Sequence, residues 1–394
     1  MVHRVLLSLA LGLLAATPAQ AQLLPPLPQL PPVTGVLDDA AGTARDTVDA
    51  VDLSQLRQVQ VRDLLRRHRR ELEADPAGEP IVRSQILALA PSPAALEQAR
   101  AAGFEIVSSN DDGLGAVVTL RAPRGMSTRR ALRRLREADP QGVYDFDHLY
   151  LESGAGGAAK QANGRGRGPR IGLIDSGVDM NVAAQRAFAT ASPVAAAHGR
   201  TVAGLLLSAA PDAQLYVADI YGGAPTGGAS SALARALGWL AGEGAPVINV
   251  SLVGPRNRIV ETLVARLVAR GFIIVAAVGN DGPAAPPLYP AAYPGVVGVT
   301  AVDARGRTLP EAARGQQVDF AALGVVAPRT RGTSYAAPIV AGLLAQRIER
   351  PDSLRARSAV ETLRTQARDL GDRGRDNVYG EGLVQISSGT VAAR

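Results

Sequence analysis

The sequence lacks cysteine and is poor in aromatic residues. None of its 394 residues is cysteine, and phenylalanine, tryptophan and tyrosine together make up 4%. The absence of cysteine excludes disulfide bonds and catalysis by a thiolate. The shortage of aromatic side chains disfavours a nucleic-acid-binding protein, in which basic residues are interleaved with aromatic ones or form a recognisable binding motif.

Lysine is nearly absent as well, since Lys160 is the only one. The formal net charge of +6 is therefore carried by arginine. The arginines are concentrated in residues 64–72 and 129–137, two stretches that we predict to be helical and that both contain acidic residues. We interpret them as solvated helix faces and expect no nucleic-acid partner.

Only one long apolar run is present, at the start of the sequence. A positive charge within residues 1–4 is followed by the apolar residues 5–16 and by small residues up to Ala21. This pattern is typical of a secretory signal peptide (residues 1–21), and the run is too short to span a bilayer. We therefore expect an exported protein, periplasmic or extracellular, with no membrane anchor after cleavage.

The N-terminal part beyond this signal divides into three segments. Residues 22–80 are proline-rich and then charged, with a helical pattern up to Asp75. Residues 81–152 alternate strand and helix patterns in the order βαββαβ, which predicts a small ferredoxin-like domain. Residues 153–168 are rich in glycine and predict an exposed, flexible linker. The predicted strands are 81–89, 104–110, 114–122 and 143–152, and the predicted helices are 92–103 and 127–139.

Residues 169–394 follow a different pattern. Continuous apolar strands alternate with helices, which predicts an α/β domain with a parallel sheet covered by helices on both faces. In such domains the functional residues collect at the carboxyl ends of the strands. The predicted strands are 170–175, 213–220, 246–252, 272–279 and 295–302, and the predicted helices are 199–209, 229–242, 257–270, 334–349 and 353–368.

Four polar residues lie at strand ends or helix starts of this α/β domain. Asp175 ends the first strand, His198 begins a helix and is the domain's only histidine, and Asn280 follows another strand. Ser334 lies between a Gly-Thr turn and an apolar helix, where free N–H groups favour negative charge. Taken singly, the aspartate and the asparagine are also compatible with turns, the histidine with a surface position and the serine with a helix cap.

The motifs around these residues together resemble the subtilisin-like serine proteases, the subtilase family. The resemblance covers about residues 169–386 and keeps the chain order aspartate, histidine, serine that is typical of the family. The domain of residues 81–152, which ends near ADPQGVYDFDHLY, resembles the family's propeptide, an intramolecular chaperone and inhibitor. The matching motifs of the α/β domain are LIDSGVD, HGRTVAG, INVSLVGP, AAVGNDG, GTSYAAPIVAG and the closing segment DLGDRGRDNVYGEGLVQ.

The resemblance implies a fold and an activity. The fold would be a subtilisin-like sheet in residues 169–394, and the activity that of a serine endopeptidase that cleaves polypeptides without a cofactor. Asp175, His198 and Ser334 would form the catalytic triad, and Asn280 would complete the oxyanion hole. We expect a monomeric precursor that is inhibited and processed through its own propeptide. The substrate-binding residues would be Ser251, Leu252, Val253, Gly254, Ala277, Val278 and Gly279.

The sequence departs from the family pattern at several places. Arg200 and Thr201 stand where a Thr-His pair usually follows the histidine motif, and the spacing between Asp175 and His198 is short. Residues 302–332 are compressed, so we expect the loops that often bind calcium to be trimmed and predict no metal. Val253 replaces a glycine that is common at the wall of the first specificity pocket. We therefore predict a preference for small or medium apolar residues, such as Ala, Val or Leu, before the cut bond.

Two alternative functions remain open. The departure at Arg200 and Thr201 is compatible with a catalytically impaired relative that serves as a binding or chaperone protein. An esterase of the α/β-hydrolase type is the other alternative. That family has a Gly-x-Ser-x-Gly motif and the chain order Ser-Asp-His, whereas Ala336 stands at the second glycine position here and the order differs.

Overall fold

The computed structural model describes residues 57–152 and 163–386. The predicted signal peptide, the proline-rich segment and residues 153–162 of the predicted linker lie outside this part of the chain. Residues 57–152 are called the N-terminal unit below, and residues 163–386 the C-terminal unit.

The N-terminal unit is a five-stranded antiparallel sheet with helices packed against it. Its elements are α1 (residues 57–67), β1 (Leu72–Ala74), β2 (Pro80–Leu89), α2 (Pro93–Ala101), β3 (Glu105–Asn110), β4 (Val117–Arg121), α3 (Thr128–Ala138), β5 (Val143–His148) and β6 (Leu151–Glu152). Strand β2 pairs with β1, β4 and β5, and β3 lies beyond β4. Helices α2 and α3 begin after Ser92 and Ser127, whose hydroxyls accept backbone N–H bonds of the first turn.

Two of the predicted boundaries in this unit are wrong. The helix expected to reach Asp75 ends at residue 67, and residues 72–74 form strand β1. Leu72 is almost fully buried and pairs with Val82, so burial and sheet hydrogen bonds outweigh the local helical preference. The strand predicted over 143–152 is divided, because β5 pairs within the N-terminal unit whereas β6 pairs with the C-terminal unit.

The C-terminal unit is an α/β domain with a seven-stranded sheet, and its fold class agrees with the prediction. Its strands are β7 (Asn163–Gly164), β8 (Arg170–Asp175), β9 (Asn181–Val182), β10 (Ala184–Ala187), β11 (Gln214–Asp219), β12 (Val247–Val250), β13 (Leu252–Val253), β14 (Ile273–Ala277), β15 (Val297–Val302), β16 (Phe320–Leu323), β17 (Val325–Ala327) and β18 (Thr330–Arg331). Its helices are α4 (Ala197–Ala209), α5 (Ser230–Gly242), α6 (Arg258–Ala269), α7 (Thr333–Ala345) and α8 (Ser353–Gln366).

The large sheet has the strand order β10-β11-β8-β12-β14-β15-β16, and every neighbouring pair is parallel. Helices α4, α7 and α8 contribute to the core on one face, and α5 and α6 to the core on the other. The edge strands β10 and β16 were not predicted, because both are short and do not alternate with a helix. None of the described helices has the length and apolar character needed to cross a membrane.

The N-terminal unit caps two helices of the C-terminal unit. A carboxylate oxygen of Asp145 accepts a hydrogen bond from the backbone N–H of Arg258 at 2.7 Å, at the start of α6. Asp147 accepts two bonds from Ser231, one from the backbone N–H and one from the hydroxyl, both at 2.8 Å, at the start of α5. Carboxylates are favourable at helix N-termini, where N–H groups lack helical partners.

We predict that Asp147→Ala lowers the free energy of unfolding by about 1–2 kcal/mol, the usual cost of losing a helix cap. The measurement is urea denaturation of the full chain, with Ser334→Ala in the background so that the predicted nucleophile is absent from every sample. The matched control is Glu137→Ala on α3, an exposed carboxylate whose single ion partner, Arg133, is also exposed. Equal decreases in the free energy of unfolding of the two variants would contradict the capping role of Asp147.

Candidate active site

Asp175 and His198 are brought together by β8 and α4. Asp175 is the last residue of β8, and His198 is the second residue of α4. Asp175 Oδ1 and His198 Nδ1 are 2.9 Å apart, and both side chains are almost fully buried. A carboxylate at this distance accepts the Nδ1 proton, so it orients the imidazole and selects the tautomer with a free Nε2.

Ser176 and Gly199 fix this pair in place. The Ser176 hydroxyl donates to Asp175 Oδ1 at 3.1 Å and accepts the Gly199 backbone N–H at 3.0 Å. A β-carbon on Gly199 would lie 2.4 Å from the Ser176 carbonyl oxygen, so only glycine permits this approach. Ser176 was not among the predicted site residues, although its place directly after the aspartate in LIDSGVD was a usable signal.

The departure from the family pattern after Gly199 leaves the Asp175–His198 bond intact. Arg200 extends to Asp179 and forms an ion pair with an Nε–Oδ1 distance of 2.6 Å. The hydroxyl of Thr201 donates to the Ala197 carbonyl, one turn back along α4, at 2.8 Å.

Ser334 is the second residue of α7, a helix that is buried along its whole length. Gly332 is the N-cap, with φ of 143°, so the interpretation of Ser334 as the helix cap is wrong. Pro338 is the sixth helical residue rather than a first-turn residue, and it has no N–H to give to the Ser334 carbonyl four residues before. That carbonyl instead accepts a hydrogen bond from the Ser251 hydroxyl at 3.0 Å.

Asn280 lies against the start of α7. Its Oδ1 accepts the Thr333 backbone N–H at 3.0 Å, and the hydroxyl of Thr333 accepts the Gly279 N–H at 3.2 Å. A β-carbon on Gly332 would lie 2.8 Å from Asn280 Nδ2, so the glycine N-cap leaves room for the amide. The amide of Asn280 is thus anchored through its oxygen beside Ser334.

Two buried atoms at the centre of this arrangement have no hydrogen-bond partner among the described residues, His198 Nε2 and Ser334 Oγ. Their helices pack together, and the rings of His198 and Tyr335 have centroids 5.6 Å apart. Unpaired polar atoms are rare in protein interiors, and a catalytic role is one of the explanations for them. Among the described residues, the packed helices α4 and α7 therefore each carry one unpaired buried atom at this site, the imidazole nitrogen of His198 and the hydroxyl oxygen of Ser334.

The predicted substrate-binding residues flank this centre. Ser251 to Gly254 follow β12 and include β13, which pairs antiparallel with β6 of the N-terminal unit. Ala277, Val278 and Gly279 lie at the carboxyl end of the neighbouring strand β14. A β-carbon on Gly254 would lie 2.7 Å from the ring of Tyr150, so the glycine makes room for that buried aromatic side chain.

Comparison with known proteins decides the family. The model of the Subtilase family matches residues 166–382, more than half of the chain. The chain belongs to the subtilase family. This membership excludes the α/β-hydrolase alternative.

Curated relatives of this subtilase are bacterial proteases. It is 31% identical over 251 residues to M-protease of Shouchella clausii, a match that spans 57% of this chain and 65% of the relative. It is also 31% identical over 251 residues to Subtilisin Savinase of Lederbergia lenta, across 91% of that protein. The match therefore spans just under two thirds of the length of M-protease.

Solved structures show the same fold for the subtilase. Fervidolysin from Fervidobacterium pennivorans, a keratinolytic enzyme related to subtilisin, superimposes with a TM-score of 0.65 at 18% identity. The superposition covers 82% of this chain and 62% of fervidolysin. A lanthipeptide protease superimposes with a TM-score of 0.50 at 22% identity, across 57% of this chain and 88% of that one.

A third ionisable group, Glu152, lies beside the aspartate and the histidine of the subtilase. One side-chain ligand atom from each of Glu152, Asp175 and His198 lies within 4.8 Å of the other two, the only such trio among the described residues. Burial alone lowers the pKa of His198, but the Asp175 carboxylate, together with Glu152, outweighs this effect and raises that pKa above its usual value. The absence of a bound metal stays a prediction.

We predict that Glu152→Gln lowers the pKa of His198, because the imidazolium loses an anionic neighbour. The pKa is measured by NMR titration of the imidazole in the Ser334→Ala chain. Glu105→Gln on strand β3 is the matched control and is expected to leave it unchanged. An unaltered His198 pKa in Glu152→Gln would show that the carboxylate does not act on the imidazole.

Proposed function

We propose that this protein is an exported serine endopeptidase, made as a precursor that inhibits and processes itself. The observation that carries the proposal is the buried 2.9 Å contact between Asp175 and His198, on a helix that packs against the helix carrying the unpaired hydroxyl of Ser334. Its relatives M-protease and Subtilisin Savinase support the same activity by name. The intact Asp175–His198 pair argues against the alternative of a catalytically impaired binding or chaperone protein.

The proposed chemistry follows from these contacts. Ser334 Oγ attacks the carbonyl carbon of the scissile peptide bond, and its proton passes to His198 Nε2. The imidazolium that forms is stabilised by Asp175 through Nδ1, and it then delivers the proton to the leaving amine. Water repeats the sequence on the acyl-enzyme and releases the second product with the serine restored.

Asn280 is proposed to stabilise the oxyanion of the tetrahedral intermediate. Because its Oδ1 is held by the Thr333 N–H, its Nδ2 is oriented before the substrate arrives. The backbone N–H of Ser334, in the first turn of α7, supplies a second donor with the favourable helix dipole behind it. Donors that are already in position cost little reorganisation when charge develops.

Self-inhibition is supported by the path of residues 149–152. Leu151 and Glu152 pair with Val253 and Leu252, so the end of the N-terminal unit lies along the strand where a substrate would bind by β-augmentation. On the other side, the backbone N–H of Tyr150 donates to the carbonyl of Gly228 at 2.8 Å. The segment is therefore held between strand β13 and the turn that ends at Ala229, and in this position it would keep other peptides out.

Helix α1 adds a further contact between the two units. The guanidinium of Arg57 bridges Glu79 of the N-terminal unit, at 2.7 Å, and Asp281, at 3.4 Å. Asp281 directly follows Asn280, so α1 is tied to the loop that carries the proposed oxyanion donor. The leucines Leu64 and Leu65 of the same helix pack on the apolar cluster that joins the units.

We propose the predicted division of the chain into a signal peptide (1–21), an N-terminal extension (22–80), a propeptide domain (81–152), a linker (153–168) and a catalytic domain (169–394). The prediction of an exposed, flexible linker is wrong from residue 163 on, because Asn163–Gly164 form strand β7 and pair with β9, and the backbone N–H groups of Gly166 and Gly168 bond to the C-terminal unit. Strand β1, within residues 72–74, adds part of the extension to the propeptide sheet. Export through residues 1–21 and a monomeric state stay predictions.

We predict that Ser334→Ala abolishes labelling by a fluorophosphonate probe and leaves the precursor at full length. The hydroxyl is the proposed nucleophile for both reactions, so both are lost together. Labelling is read by gel fluorescence, and processing by mass spectrometry after expression in a protease-deficient host. Ser208→Ala is the matched control, because that exposed hydroxyl donates only to the Gly204 carbonyl of its own helix.

The outcomes separate the parts of this proposal. Loss of the first ~150 residues in the Ser334→Ala chain would refute self-processing, since that size corresponds to the proposed N-terminal segments. A wild-type chain that is not labelled, and does not cleave casein, would support the impaired relative instead.

We predict that Asn280→Ala lowers kcat by about 10²–10³ with little change in KM, a magnitude carried over from subtilisin. The hydrogen bond strengthens only in the transition state, so ground-state binding is largely unaffected. Steady-state kinetics on a peptide substrate, normalised by active-site titration, gives both constants. An effect confined to KM would remove Asn280 from the oxyanion role.

A further inference from the structure

The register of the bound segment 149–152 locates the first specificity pocket. Glu152 pairs with Leu252, and one ligand atom of its side chain lies within 4.8 Å of ligand atoms of Asp175 and His198. A peptide bound in the same register would place its next residue opposite Ser251, whose hydroxyl is bonded to the Ser334 carbonyl. Because side chains alternate along a strand, the side chain of that residue would lie on the same face as Val253, which borders Gly279.

The space beside Gly279 is already filled by two apolar side chains of the enzyme. A β-carbon built on Gly279 would lie 3.0 Å from Leu288 Cδ1 and 3.7 Å from Val253 Cγ1. Both side chains are buried, with 7% of Leu288 and 4% of Val253 exposed. A wall at Val253 was predicted from the sequence, and Leu288 adds a second apolar side chain to it.

Leu288 is held in position by its neighbours in the chain. Tyr289 and Gly254 exchange two backbone hydrogen bonds, at 2.9 and 3.0 Å, and the Leu288 carbonyl accepts the Ala292 N–H at 3.1 Å. The ring of Tyr289 packs on Tyr293 with centroids 4.5 Å apart. A large substrate side chain would have to displace this anchored segment rather than a mobile side chain.

We propose that Leu288, together with Val253, closes the first specificity pocket and restricts cleavage to bonds that follow Gly, Ala or Ser. This inference rests on the proposed protease activity and names its substrate class. It narrows the preference predicted from Val253 alone, since Val and Leu are excluded as well as Phe and Tyr.

The sequence after Glu152 agrees with such a pocket. Residues 153–159 read Ser-Gly-Ala-Gly-Gly-Ala-Ala. Each peptide bond that follows one of residues 153–159 therefore follows a Gly, Ala or Ser, which are the side chains that the proposed pocket admits.

The test compares peptide substrates that differ only in the residue before the cut bond, with Ala, Val, Leu or Phe at that position. We expect the unmodified enzyme to favour Ala over Phe by at least ~10-fold in kcat/KM, the effect of about one methylene of misfit. Leu288→Ala should shift the Phe/Ala ratio towards Phe by about 10- to 200-fold. Leu354→Ala, an exposed leucine of α8, is the matched control and should leave the ratio unchanged.

Fluorophosphonate titration normalises every rate to the concentration of active enzyme. If Leu288→Ala yields too little folded protein, Leu288→Val and Val253→Gly test the same pocket with smaller losses of packing, and each should move the ratio in the same direction. An unmodified enzyme that favours Phe or Leu, or a fully labelled Leu288→Ala enzyme with an unchanged ratio, would overturn the inference while the protease activity stands. An unmodified chain that is neither labelled nor active would instead refute the proposed function itself.

Discussion

The burial of helix α7 is the constraint on which the arrangement of the site depends. All thirteen of its residues are buried, so the helix cannot shift without disturbing the core of the sheet. Pro338 leaves one carbonyl of this helix without its usual partner, and the hydroxyl of Ser251 takes that place. A helix irregularity that costs stability in isolation thereby ties the candidate nucleophile to the strand along which a peptide would lie.

The two units are joined by backbone hydrogen bonds between paired strands and by hydrogen bonds from helix N-termini to side-chain carboxylates. Strand β6 forms a two-stranded sheet with β13 of the C-terminal unit, and Asp145 and Asp147 accept hydrogen bonds from backbone N–H groups at two helix starts. The units also share a buried apolar cluster, in which Leu87, Leu89 and Val117 lie with residues of α5 and α6. Water can satisfy the hydrogen-bonding groups on both sides if the proposed processing separates the units.

Much of the site could be predicted from the sequence because its residues follow local signals. Asp175 and Asn280 come at the ends of apolar strands, and Ser334 follows a turn, so their placement needs only the order of strands and helices. The division of residues 143–152 between two sheets could not be predicted, because the pairing partners lie in different units. Leu288 was missed for a similar reason, since the contact with Gly279 depends on a loop that local patterns do not describe. The β1 strand shows that burial against a distant partner can also override a local helical preference.

The two helix starts that the N-terminal unit caps differ in whether they also have a capping side chain of their own. Helix α6 has its own N-cap, Asn257, whose side-chain oxygen accepts the N–H groups of Ile259 and Val260. Helix α5 begins after Ala229, which offers no side-chain acceptor. If the proposed processing removes the N-terminal unit, the amides at the start of α5 lose the Asp147 acceptor to water, so this turn would fray and exchange its hydrogens with solvent more readily than the start of α6.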